Sequence, residues 1–101
     1  MKIIEELYEH IDDEICDMKC YAKLACLYKD KYPQLAETLA KISAQEETHA
    51  TALHDAVVEL INEYKKNGHS IPVDMESIYE YLHKKQIEKH QEAKTYLQMF
   101  K

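Results

Sequence analysis

A single glycine, Gly68, and two prolines, Pro33 and Pro72, are all the backbone punctuation in this chain of 101 residues. Between them lie stretches rich in Ala, Leu, Glu, Lys and Gln, residues that lose little on entering a helix. No window alternates with the period of a strand. The chain therefore has two places to turn. KDKYP closes a first helix and sets Pro33 in the first turn of a second, where its missing N–H is no loss. KKNGHSIPVD closes the second, with Lys65 and Lys66 in its last turn and Gly68 just beyond. Ser70 or Asp74 can then cap a third helix. Helices over about 3–28, 33–66 and 75–100 follow. They predict an all-α fold, one three-helix bundle over residues 1–101 with a modest core.

A formal net charge of -6 leaves no basic patch to neutralise phosphates, so nucleic acid is not an expected partner. Lys84 and Lys85 read as solvated helix surface. No apolar run approaches the roughly 20 residues that span a bilayer, and the opening MKIIEELYEH turns acidic too early for a secretory signal. Cys16, Cys20 and Cys26 form neither a C-x-x-C pair nor a zinc or rubredoxin-type iron knuckle. Free thiols predict a reduced, cytoplasmic protein, and a sensor thiol has little to activate it beyond Lys19 and Lys23.

Unrolling the helices at about 100° per residue locates their apolar stripes. In the second helix Leu35, Leu39, Ile42, Leu53, Val57, Leu60 and Tyr64 fall in one band. Glu46 lies in the middle of that band, with His49 about 60° to one side, while Glu47 and His54 lie at its border. The first helix repeats the arrangement. Ile3, Leu7, Ile11, Met18, Tyr21, Ala25 and Tyr28 form its stripe, Glu14 is at the centre, and His10 and Asp17 flank it. The joint near residues 29–33 is about equidistant from Glu14 and Glu46, so a helical hairpin sets them at one height. Two such carboxylates must share a proton, pair with a cation or hold a metal. Lys89, in the stripe of the third helix, is a candidate cation. The imidazole of His49 favours the metal, because carboxylates with a Glu-x-x-His pair build dinuclear iron or manganese sites in helical bundles.

Glu14, Tyr21 and Glu46-Glu47-Thr48-His49, at this spacing, resemble the first half of a ferritin-like domain of the rubrerythrin type. The resemblance covers about residues 3–66. It implies Glu14, Glu46 and His49 as metal ligands, with iron or manganese as cofactor and Tyr21 as a hydrogen-bond donor beside the site. The whole chain is also similar to short three-helix ferritin-like proteins of low-GC bacteria and phages.

The family's second half repeats the first on two further helices, whereas here one helix remains. Its apolar stripe is Met75, Ile78, Leu82, Ala93, Tyr96, Leu97 and Phe100. Glu80-Tyr81-Leu82-His83 is formally a second Glu-x-x-His, but Glu80 lies nearly opposite that stripe. His83 and His90 sit at one border near Gln86, and Glu92 at the other, as additional candidates for ligands or their supports. One chain thus supplies about half a site. A homodimer or higher homo-oligomer can complete a four-helix dinuclear centre, or the monomer holds one ion or none.

Two functions follow as expectations. The first is a small metalloprotein that binds iron (or manganese), with Fe(II) oxidation or the handling of an oxidant at a dinuclear site. The second is a degenerate bundle that acts as a non-enzymatic protein-interaction module. For that role eight tyrosines would supply the surface, Tyr79 and Tyr81 among them.

Overall fold

The computed structural model describes residues 2–101, in three helices: α1 (Lys2–Tyr28), α2 (Pro33–Lys66) and α3 (Val73–Phe100). The first joint is as expected. Pro33 occupies the first turn of α2, and the Tyr32 carbonyl accepts from the Ala36 N–H at 2.9 Å. At the other end Lys65 and Lys66 fill the last turn, and Gly68 takes φ +85. In that conformation its N–H reaches the Lys65 carbonyl at 3.1 Å, and the His69 N–H reaches that of Tyr64 at 3.3 Å. A Cβ at Gly68 would meet nothing within 4 Å, so the backbone alone demands glycine. Gly68→Ala should therefore cost about 1–2 kcal/mol, read as a lower midpoint in urea with an unchanged slope.

The third helix departs from expectation at its start. It begins at Val73, directly behind Pro72, and neither Ser70 nor Asp74 caps it with a side chain. Asp74 and Glu76 instead place negative charge in the first turn, where the helix dipole favours it.

The direction of each helix is fixed by bonds between them. The Ser43 hydroxyl donates to the Met18 carbonyl at 2.7 Å, which sets α2 antiparallel to α1. The Gln86 amide reaches the Tyr8 carbonyl at 3.1 Å, Lys19 pairs with Glu92 at 2.7 Å, and the Cys26 thiol reaches the Tyr96 carbonyl at 3.0 Å. These pairs rise together along the chain, so α3 runs parallel to α1. The connection over 67–72 reverses sharply. It reaches about 20 Å at most, less than half the length of α2 (about 50 Å for 34 residues), so it cannot carry the chain back along the bundle as a ferritin-like crossover does.

Burial follows a seven-residue repeat. Along α1 the buried residues are Ile4, Tyr8, Ile11, Ile15, Met18, Ala22 and Ala25; along α2 they are Ala36, Ser43, Ala50 and Val57; along α3 they are Tyr79, Gln86 and Ala93. This is the seam of near-parallel helices, and it gives a rod of 57 × 18 × 18 Å. Helix α1 is central. It packs closely against both of the others, whose backbones stay farther apart and meet through side chains. Its row Ile4, Ile11, Met18 and Ala25 meets α2, and Tyr8 and Ile15 turn toward α3, where Tyr8 stacks on Tyr79 at 5.7 Å.

This repeat corrects the stripes read from the sequence. A straight unrolling drifts by about 20° per heptad against a seven-residue seam, which over the length of α2 displaces the apparent centre. Of the apolar band expected on α2, Val57 is buried, Leu35 is 48% exposed, and Leu39, Ile42, Leu53, Leu60 and Tyr64 are half-buried. On α1, Ile3 is exposed and Leu7, Tyr21 and Tyr28 are half-buried. On α3, Ile78 is exposed, whereas Tyr79 is buried rather than available as surface. Tyr81 is exposed as expected.

The half-buried residues form rows of their own. Leu7, Glu14, Tyr21 and Tyr28 succeed one another every seven residues on α1, as do Leu39, Glu46, Leu53 and Leu60 on α2. Each helix thus carries a second apolar row, interrupted once by a glutamate, on the side of the hairpin away from α3.

Candidate metal centre

The two glutamates reach the same height because the Ser43–Met18 contact fixes the register of the hairpin. One turn beyond Met18 toward the amino end lies Glu14, and one turn beyond Ser43 lies Glu46. His49 follows Glu46 by three residues and points the same way. Its Nδ1 stands 3.4 Å from Glu14 Oε2 and 3.9 Å from Glu46 Oε2. One ligand atom from each of the three lies within 4.8 Å of the others, and among the described residues this is the one group of three or more His, Cys, Asp and Glu so placed.

Burial here is graded. The side chain of Glu46 is 19% exposed, that of Glu14 27% and that of His49 59%. Glu46 and Glu14 are therefore not enclosed in the core, as their position in the apolar band implied. They sit at the edge of the α1–α2 seam with their carboxylates turned to its open side. Glu14 Oε2 is nevertheless shut off from solvent and accepts no hydrogen bond; the His49 contact at 3.4 Å lacks hydrogen-bond geometry. A shielded carboxylate oxygen without a donor is costly unless a cation supplies the missing partner. Two carboxylates and an imidazole are a donor set that suits iron or manganese.

The other expected participants separate from this cluster. His10 and Asp17 are exposed, about one turn to either side of Glu14. Tyr21 is half-buried on the same row, about 10 Å farther along the axis. The candidates on α3 all lie apart from this cluster, because α3 packs on the other side of the α1–α2 hairpin. Glu92 binds Lys19 at 2.7 Å, and each holds the other in its charged form. His90 meets Glu47 at 3.0 Å, and the His83 ring stacks on His54 at 4.6 Å. Glu80 is exposed. Lys89 does not reach the glutamates of the cluster either; it lies beside Glu92 and helps to keep that carboxylate ionised.

What the sequence did not reveal is the cleft between α2 and α3. It holds a cavity of about 160 Å³ lined by Ile11, Thr51, His54, His83, Gln86 and His90, among others. Gln86 is buried, and its amide nitrogen also binds Asp12 at 3.1 Å. The signal was present in the heptad Tyr79, Gln86 and Ala93, where the amide stands between two core residues.

Burial, and then the neighbouring His54, push the His83 imidazole below its ordinary value, which is about 6.5. The groups that share its opening are His54 and Glu76 and Glu80. An unfolded chain takes up the proton more readily than the folded one, so stability should fall as the pH drops below about 6.5 and level off beneath the lowered folded value. Thermal melts between pH 7.5 and 5 should show that loss in the wild type, and a smaller one in His83→Leu.

A helical hairpin that sets a glutamate from one helix against a Glu-x-x-His from the next defines a half-bundle of the ferritin-like class. The sequence profile of the rubrerythrin family, described as Rubrerythrin, matches residues 5–101, and the chain belongs to that family. No curated protein and no solved structure matches it significantly.

Proposed function

We propose that this protein binds iron, or manganese, through Glu14, Glu46 and His49 and uses it to handle an oxidant. The observation that carries the reading is the convergence of these three groups from two helices within 4.8 Å, with one carboxylate oxygen left shielded and without a donor. Membership of a family that usually binds iron supports it.

When bound, iron supplies the redox chemistry, the transfer of electrons to oxygen or peroxide. The chain's own groups do the rest. Glu14 and Glu46 would hold the ion and provide negative charge that favours its higher oxidation state. His49, the most exposed of the three, leaves the solvent side of the cluster accessible to a small oxidant. Tyr21 walls the apolar row beyond Glu14. Three free thiols, two of them exposed, fit a reducing cytoplasm. No helix among the described residues is long and apolar enough to cross a membrane.

The reading is tested by anaerobic titration with Fe(II), counting ions bound per chain in the wild type and in Glu46→Ala. Saturable uptake that the substitution abolishes supports it. Uptake that is absent, or indifferent to Glu46, sinks it.

A further inference from the structure

We propose that the face bearing Glu14, Glu46 and His49 is closed by a second copy of this chain, and that divalent cations join the two. The proposal rests on the metal reading above and adds the partner that completes the site.

Three observations lead to it. The first is the pair of half-buried rows. Leu7 and Tyr21 on α1, with Leu39 and Leu53 on α2, flank the two glutamates, and α3 lies on the other flank of α1, where it covers none of this face. Four apolar side chains on a seven-residue repeat are the mark of a seam. The second is the count of ligands. A dinuclear carboxylate centre in a helical bundle takes a Glu from each of two helices and a Glu-x-x-His from each of two more. That set is twice Glu14, Glu46 and His49, and α3 contributes nothing to it.

The third is symmetry and charge. Glu14 lies near the middle of α1 and Glu46 not far from the middle of α2. A two-fold axis through the cluster, perpendicular to the rod, therefore lays acid on acid and apolar ends on apolar ends, as an isologous contact requires. Four carboxylates meeting without ions repel one another. Two divalent cations cancel their charge, so association depends on metal.

The test is the mass of the full chain in solution, by sedimentation equilibrium at micromolar concentration, after EDTA treatment and again with Mn(II) or anaerobic Fe(II). The expected result is a doubling of the 11.9 kDa chain mass when the metal is added. Ile3→Glu and Leu35→Glu lie at opposite ends of this face and are each 48% exposed; they should weaken the dimer about tenfold or more while circular dichroism stays helical. Val73→Glu, on α3 and 79% exposed, should leave it intact. Metal bound by a chain that remains monomeric overturns the dimer and leaves the metal reading standing. No metal bound at all overturns both. A doubled mass that survives Ile3→Glu and Leu35→Glu together places the contact elsewhere and overturns the proposal.

Discussion

Glu46→Ala should lower the affinity for Fe(II) or Mn(II) by more than roughly 100-fold, beyond the 10–100-fold typical of residues that merely support a ligand. It should do so without unfolding the protein. Glu46 lies at the edge of the α1–α2 seam, with its side chain 19% exposed, so truncation opens no enclosed cavity. It also removes one of two carboxylates that crowd His49, and with it a like-charge repulsion that the metal-free chain otherwise bears. The metal-free variant should accordingly melt no lower than the metal-free wild type. Metal should raise the melting temperature of the wild type alone, because only a bound ligand shifts that equilibrium. A calorimetric scan with and without Mn(II) reads both effects. Equal stabilisation of the two proteins by metal would show that Glu46 is not a ligand.

Ile11→Ala should have the largest effect on the fold itself. Ile11 is 2% exposed, belongs to the central cluster with Ile4, Tyr8, Ile15 and Val57, and lies on the helix that both other helices use. Emptying such a position costs about 2–5 kcal/mol, against a total of about 5–15 kcal/mol for a domain. At about 4–8 °C per kcal/mol for a chain of this size, the Tm should drop by more than about 10 °C. Few large side chains are fully buried here; Ile4, Ile11, Met18 and Val57 carry most of that burden. Ile87→Ala, at a residue 55% exposed on α3, should shift the Tm by no more than a few degrees, and urea melts of the two variants compare them directly.

The helices and both joints were legible because glycine and proline are so scarce. A chain with two interruptions has few alternatives, and Pro33 and Gly68 stand where the helices stop. The identity of the cluster was legible too, since Glu14, Glu46 and His49 need only a hairpin in register. Their depth was not. Reading each helix alone treats its apolar side as one face, whereas α1 divides its surface among α2, α3 and open solvent. Glu46 therefore belongs to a row beside the core rather than within it. The third helix was the least legible element. Its direction depends on a tight reversal at 67–72, and its side-chain partners, Lys19 for Glu92 and Glu47 for His90, come from positions that neither period nor motif marks. Tyr79 escaped for the same reason, as its burial is owed to Tyr8 on another helix.

The small residues along α2 bear on the spacing of the glutamates. Ala36, Ser43 and Ala50 present little bulk to α1, and Ser43 draws the two backbones together through its 2.7 Å bond to Met18. The gap between the Glu14 and Glu46 carboxylates is therefore gauged by side chains that lie outside the cluster. For an ion held as proposed, the closeness of the two backbones would set the radius that Glu14 and Glu46 accept, so a larger side chain at Ser43 should shift the preference between Mn(II) and Fe(II) with Glu14, Glu46 and His49 left in place.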